Sequence, residues 1–364
     1  MKDNRLEVTR TTLPPFEEFC SEIRPLWDTC RVTNMGPKHE EFEAALRERL
    51  GCREVCLFAN GHLALEAALR ALRLPAGSEV ITTPFTFVST THAIVRCGLR
   101  PVFCDVRPSD GTLDPDAAEA LVTSRTSAIL PVHVYGNVCD VERLGALARR
   151  HSLKLLYDAA HAFTEYAGGK AAVAWGDASV LSFHATKLFS TVEGGAVCTD
   201  DGSLVQALRD ERNFGIRNKE CCSYIGGNAK LNEFQAIMGL CNLRHIDSAL
   251  EARKEAAGLY RHILSGTPGA PQPFPSGASY FPVMFASQRE RDAAADTLER
   301  NGIGARKYFW PLTSDMDCYS AFDKGDTPVA RDLSSRILTL PLYPGICRED
   351  IYRVCGLVRG ITTM

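Results

Sequence analysis

Apolar positions along this chain follow two alternating rhythms. Short apolar runs at Val55–Phe58, Val80–Thr83, Pro101–Asp105, Ala128–Val134, Lys154–Tyr157, Ala178–Phe183 and Ala196–Thr199 read as strands. Between them, apolar residues recur every three or four positions, as a helix face requires. These stretches include Phe42–Leu50, Leu63–Leu72, Thr86–Cys97, Val141–His151 (capped by Asp140) and Leu204–Arg212. Strand and helix in alternation predict an α/β fold, a mainly parallel sheet covered by helices on both faces. In such sheets ligands bind beyond the carboxyl ends of the strands.

After Thr199 the rhythm changes. Leu231 to Leu264 reads as one long helical stretch, Tyr280–Phe285 as a strand and Glu290–Asn301 as a helix. Ile337–Leu342 and Arg348–Arg359 complete a smaller α+β unit. The Pro- and Gly-rich segment Gly266–Gly277 marks a boundary. The expectation is a large unit over residues 1–250, including an amino-terminal arm with a short helix, and a small unit over 251–364.

Composition narrows the function. With 41 Lys and Arg against 44 Asp and Glu, the formal charge is −3, and no long run has one sign. This balance offers no broad footprint for nucleic acid or an anionic membrane. The amino terminus has no apolar signal core, and no apolar span reaches membrane-helix length, so a cytoplasmic protein is expected. The 14 cysteines are scattered without a C-x₂-C pair and read as reduced thiols.

The chemistry gathers at strand ends. Lys187 follows the run ending at Phe183, where partial desolvation would lower its pKa and free the amine for covalent work. Asp158 ends the run Leu155–Tyr157. An aspartate and a lysine so placed can grip opposite ends of a pyridoxal ring, whose nitrogen needs a facing carboxylate. Taken alone, Asp158 reads more readily as a helix cap. Asn60-Gly61-His62 sits at a helix start able to offer N–H groups to a phosphate, and Ser182 adds a hydroxyl. Phe85 and Phe87 are candidates to cover a ring face. His133, His161 and His184 lack the acidic neighbours of a metal site, and no metal is expected. Nucleophile-elbow, P-loop and dinucleotide glycine motifs are absent from the sequence.

Asn60-Gly61, Pro84-Phe85-Thr86-Phe87, His133-Val134-Tyr135-Gly136, Asp158-Ala159-Ala160-His161, Ser182-Phe183-His184-Ala185-Thr186-Lys187 and Glu193-Gly194-Gly195 occur in that order. They are followed by Gly227-Asn228-Ala229-Lys230-Leu231-Asn232-Glu233 and Leu340-Pro341-Leu342-Tyr343-Pro344. In these motifs the chain resembles the DegT/DnrJ/EryC1/StrS sugar aminotransferases, which have the fold type I of pyridoxal-phosphate-dependent transferases. The resemblance spans nearly the whole chain.

It implies pyridoxal 5′-phosphate as cofactor, pyridoxamine 5′-phosphate in the second half-reaction, and Lys187 as the Schiff-base lysine. Asp158 would pair with the pyridine nitrogen and His161 would lie near the ring hydroxyl. Ser182 and the Gly61-His62 turn would hold the phosphate, with Phe87 stacked on the ring and His184 beside it. Asn228 would reach the phosphate of a neighbouring subunit, implying a homodimer with shared sites. Family members commonly carry Thr or Ser where His62 stands, so a hydroxyl contact to the phosphate would be lost there, or an imidazole N–H would replace it. L-Glutamate would donate the amino group, and Lys187 would move a proton between the donor's α-carbon and the cofactor. A nucleotide-linked keto sugar would accept it. Glu193-Gly194-Gly195 resembles the 4-keto branch, pointing to dTDP-4-keto-6-deoxyglucose and a role in deoxyamino sugars such as those of O-antigens. Arg306, Lys307 and Tyr308 would meet the sugar or diphosphate, or else form a solvated loop. A 3-keto sugar or cyclitol aminotransferase, and a non-catalytic binding or regulatory protein of the same fold, are the alternatives.

Overall fold

Neighbouring residues on the central strands bury opposite faces of one sheet. Val80, Leu130, Leu156 and Val180 point into one apolar core, while Ile81, Ile129, Leu155 and Leu181 point into cores on the other side. Strands buried on both faces need helices on both, and the chain supplies them between strands. The computed structural model describes residues 5–265 and 270–361. The part of the expected boundary at 266–269 lies outside the described residues.

The sheet contains β1 (Glu54–Phe58), β2 (Glu79–Thr82), β3 (Arg100–Phe103), β4 (Thr126–Leu130), β5 (Lys154–Asp158), β6 (Ala178–Ser182) and β7 (Gly195–Thr199). Their order is β1-β7-β6-β5-β4-β2-β3. β7 runs antiparallel to both its neighbours and the other pairs are parallel, giving the mainly parallel sheet expected. A second sheet, β8 (Gln272–Pro273), β9 (Phe281–Met284) and β10 (Ile337–Leu340), is antiparallel.

Before the main sheet the helices are α1 (Phe16–Ile23), α2 (Pro25–Thr29) and α3 (Pro37–Leu50). Between its strands run α4 (Gly61–Ala71), α5 (Val88–Arg96), α6 (Pro115–Ala120) and α7 (Val141–Arg150), and α8 (Gly202–Arg212) follows the last of them. After it come α9 (Glu233–Arg244), α10 (Ile246–Leu264), α11 (Gln288–Arg300), α12 (Pro328–Arg336) and α13 (Arg348–Ile361). The second sheet shares a core with α10, α11 and α13 through residues such as Tyr260, Phe281, Leu298, Leu338 and Val354. A further core, with Phe85, Tyr135, Tyr280 and Phe309, joins the ends of the main strands to the second sheet.

Three boundaries differ from the pattern. The stretch from Leu231 to Leu264 is two helices, because His245 leaves helical geometry (φ −108°, ψ 3°) while its ring pairs with Glu18 at 2.7 Å. The run Ala128–Val134 stops as a strand at Leu130, since Pro131 has no N–H to give a ladder. The helix expected from Thr86 begins at Val88, after a loop in which the Phe85 N–H donates to Thr83 Oγ1. Among the described residues, no helix is long and apolar enough to cross a membrane, and no cluster of three or more His, Cys, Asp or Glu is placed to hold a metal ion.

Candidate active site

The carboxyl ends of β5 and β6, the amino ends of α4 and α5, and the start of β9 enclose a cavity of about 700 Å³. Asp158, at the end of β5, is 5% exposed. Its Oδ2 accepts from Thr90 Oγ1 at 2.7 Å and its Oδ1 from the Ala160 N–H at 3.1 Å. The chain turns after Asp158 without forming a helix, so capping does not account for it. Burial pushes this carboxyl above the usual aspartate range, partly offset by Thr90, Ala160 and the charge of Lys187. No salt bridge among the described residues reaches it, which leaves a buried acid able to receive a cationic ligand group.

Lys187 stands on the cavity wall, in the loop between β6 and β7. Burial lowers its pKa, and the Arg306 charge acts in the same direction against Tyr308 and Asp158. The amine approaches the Tyr280 hydroxyl at 3.5 Å. His161 accepts the Tyr135 N–H on Nδ1 at 3.1 Å, and burial, then Lys187, holds its pKa well down. The neutral ring therefore carries its proton on Nε2. It lies nearly parallel to Phe309, with centroids 6.1 Å apart.

A tight cradle forms beside them. Asn60 caps α4 by accepting the Leu63 N–H at 2.9 Å, while the first-turn amides Gly61 and His62 lack intrahelical acceptors. A Cβ on Gly61 would lie 2.8 Å from Ser182 Cβ, and one on Gly195 would lie 2.6 Å from the Gly61 nitrogen. Only glycines allow so close an approach of these backbones. The helix start, with the Ser182 hydroxyl beside it, is a natural anion site.

The cavity also takes in Phe87, 56% exposed, along with His184, Arg306 and Tyr308. His184 Nδ1 meets Thr186 Oγ1 at 2.8 Å. Arg306 donates to the Tyr308 hydroxyl. Lys307 points elsewhere and pairs with Asp292 at 2.7 Å, so it is not part of the cavity. Asn228 is exposed, outside the cavity of its own chain, and accepts from Lys230 at 2.6 Å. Phe85 is fully buried against Tyr135 and Phe309, and His133 stacks on Tyr157; both are core residues. The His62 ring meets Ser89 Oγ at 2.8 Å through Nδ1 and Glu66 at 3.1 Å through Nε2. Sequence reasoning missed Thr90 and Tyr280. Thr86 and Thr90, four apart in a stretch that reads as helical, were the available signal for the first.

The profile of the DegT/DnrJ/EryC1/StrS aminotransferase family matches residues 16–359. The chain belongs to this family. As a DegT/DnrJ/EryC1/StrS aminotransferase it is 38% identical over 362 residues to the dTDP-4-amino-4,6-dideoxy-D-glucose transaminase of Shigella dysenteriae, covering 97% of this chain and 98% of that one. It is 37% identical over 372 residues to the protein of that name from Escherichia coli, covering 99% and 100%. In three dimensions it resembles the crystal structure of DesI in the presence of its TDP-sugar product, with a TM-score of 0.93 and 34% identity over 99% of this chain and 94% of that one. The fold type expected from the sequence motifs is the one observed. The cavity fits pyridoxal 5′-phosphate in its donor set: a buried acid for a ring cation, an amine freed by burial, and a helix-start cradle for a phosphate.

Proposed function

We propose that this aminotransferase moves the amino group of L-glutamate to a nucleotide-linked keto sugar, dTDP-4-keto-6-deoxyglucose, giving dTDP-4-amino-4,6-dideoxyglucose. The observation that carries this reading is the meeting of Asp158, Lys187 and the Gly61–Ser182 cradle in one cavity. The names of the Shigella and Escherichia relatives support the choice of sugar. The reading includes a cytoplasmic homodimer with shared sites, in which the exposed Asn228 serves the neighbouring subunit.

Gly61, His62 and Ser182 would hold the phosphate, Phe87 would cover one ring face, and His161 Nε2–H would point to the ring hydroxyl. Asp158 would keep a proton on the ring nitrogen. When bound, the cofactor supplies a protonated aromatic ring that accepts the electron pair left by the departing α-proton. Lys187 Nζ would take that proton and give it back as an acid, and would work in the reverse order in the second half-reaction. Arg306 and Tyr308, which also line the cavity, would meet the substrate.

The test is the visible spectrum of the purified protein with and without L-glutamate, beside Lys187→Ala. A cofactor band that bleaches with glutamate, with 2-oxoglutarate formed by the wild type alone, supports the first half-reaction. Amination of dTDP-4-keto-6-deoxyglucose supports the second. A protein that binds no pyridoxal phosphate would sink the proposal, and one that binds it but ignores amino donors would favour the binding-protein alternative.

A further inference from the structure

Tyr280 enters the cavity from the second sheet, and no role has yet been given to it. It is 2% exposed and lies immediately before β9. Its position is fixed from several directions. Ser279 Oγ donates to the His161 carbonyl at 2.7 Å, and the Ser279 carbonyl accepts from the buried Arg253 guanidinium at 3.3 Å. The Tyr280 ring meets the rings of His161 and Tyr308 edge-on, with centroids 4.8 and 5.7 Å away. Its hydroxyl lies 3.5 Å from Lys187 Nζ, the outer edge of hydrogen bonding. Such contacts commonly tighten when substrate binds.

We propose that Tyr280 is a positioning residue whose hydroxyl holds the Lys187 amine in both of its protonation states, keeping it aimed during proton transfer. This rests on the aminotransferase reading above. A base that becomes an acid within one cycle needs a neighbour that can both accept and donate. The Lys187 ammonium can donate to the Tyr280 oxygen, and the neutral amine can accept the Tyr280 proton. Burial pushes the Tyr280 phenol up to about 12, so it remains a neutral hydroxyl. The other groups facing Lys187 are less versatile. Asp158 in its charged form only accepts, and Arg306 only donates. The Tyr308 oxygen already accepts from Arg306, which leaves it better placed to donate than to accept, and the neutral His161 ring spends Nδ1 on Tyr135. In this scheme Nζ would take up and release the proton, while Tyr280 retains its own proton throughout.

The experiment follows the exchange of the glutamate α-hydrogen with D₂O by holoenzyme of wild type and Tyr280→Phe, with cofactor affinity and unfolding temperature measured alongside. The expected result is exchange slowed by about 10- to 100-fold, with cofactor affinity within about threefold. The ammonium loses more than the amine when the phenol is removed from a dry site, so the Lys187 pKa drops further and the acid limb of the exchange profile moves to lower pH. A second arm reads the pH midpoint for acylation of Lys187 by acetic anhydride in cofactor-free protein, using mass spectrometry. That midpoint should fall in the variant. If the phenylalanine variant melts early, 3-fluorotyrosine at position 280 keeps the ring, and its weaker acceptor oxygen should also lower the midpoint. An unchanged exchange rate and midpoint would overturn the inference, as would a rate loss that only follows weaker cofactor binding. A wild type that catalyses no exchange defeats the aminotransferase proposal instead, and the acylation arm still decides whether Tyr280 holds Lys187.

Discussion

Thr90 Oγ1 donates a 2.7 Å hydrogen bond to Asp158 Oδ2, and both groups are buried. Thr86 Oγ1 lies 2.8 Å behind Thr90 Oγ1, so a short hydroxyl chain from the loop before α5 ends on the carboxylate. Burial alone favours the protonated acid; this donor favours the anion that a ring nitrogen needs. Thr90→Val should therefore raise the Asp158 pKa further and weaken pyridoxal phosphate binding by about 1.5–3 kcal/mol, the worth of a hydrogen bond to a charged group. Spectrophotometric titration of cofactor-free protein measures it, and unchanged affinity would remove Thr90 from the site.

Gly195→Ala tests the cradle. The new Cβ meets backbone atoms of Asn60 and Gly61 at 2.6 to 2.8 Å, and backbone cannot swing aside as a side chain can. A stability loss of about 1–3 kcal/mol and a marked loss of cofactor affinity are expected. Denaturant unfolding and the same titration are the readouts.

His62→Ala should matter less to the cofactor than its position implies. Both ring nitrogens are occupied by Ser89 and Glu66, and the donors that α4 would offer a phosphate are backbone amides. Glu66 retains Arg70 and Arg96 as partners. Cofactor affinity should change by less than about threefold while stability falls by about 1 kcal/mol. A tenfold affinity loss would show that the imidazole itself serves the phosphate.

If Asn228 serves the neighbouring subunit, Asn228→Ala and Lys187→Ala homodimers are both impaired, yet they rescue each other on mixing. Random reassembly puts one wild-type site in each mixed dimer, so about a quarter of wild-type activity should return. Failure of dissociated and reassembled subunits to recover activity would place Asn228 outside a shared site.

Burial lowers the pKa of His133 to about 3 and that of His39 to about 4. Below the ordinary histidine value of about 6.5 the unfolded chain then binds more protons than the folded one. Stability should rise with pH toward that value and fall as pH drops below it, with a limiting slope of about 1.4 kcal/mol per pH unit for each histidine. Asp158, whose pKa is raised, works in the opposite direction from the ordinary aspartate value upward. Unfolding temperatures of cofactor-free protein between pH 5 and 8 test the sum, and His133→Gln should flatten the slope.

The alternation of rhythms was enough to read the main sheet, because strands buried on both faces leave uninterrupted apolar runs. Asp158, Lys187, Ser182 and Gly61 stand at the ends of such runs, but each had another reading, Asp158 as a helix cap above all; the order of the family-like motifs singled them out, and the fold brings all four to one cavity. Tyr280 was not legible, since an aromatic residue opening a strand looks like core until the fold sets it beside Lys187. Lys307 was misplaced because three polar residues in a row face different ways, and its pairing with Asp292 depends on a helix distant in sequence. The break at His245 was hidden by an apolar rhythm that continues across it.

Asp158, Lys187 and the cradle come from the main sheet, whereas Tyr280, Arg306 and Tyr308 come from the segments around the second one. Under the proposed function, cofactor chemistry and substrate choice would thus be written in separate stretches of the chain. Changes in the later stretch would then alter which substrate is accepted while the cofactor machinery stays intact. Tyr280 is the exception, tying that wall to the Lys187 amine.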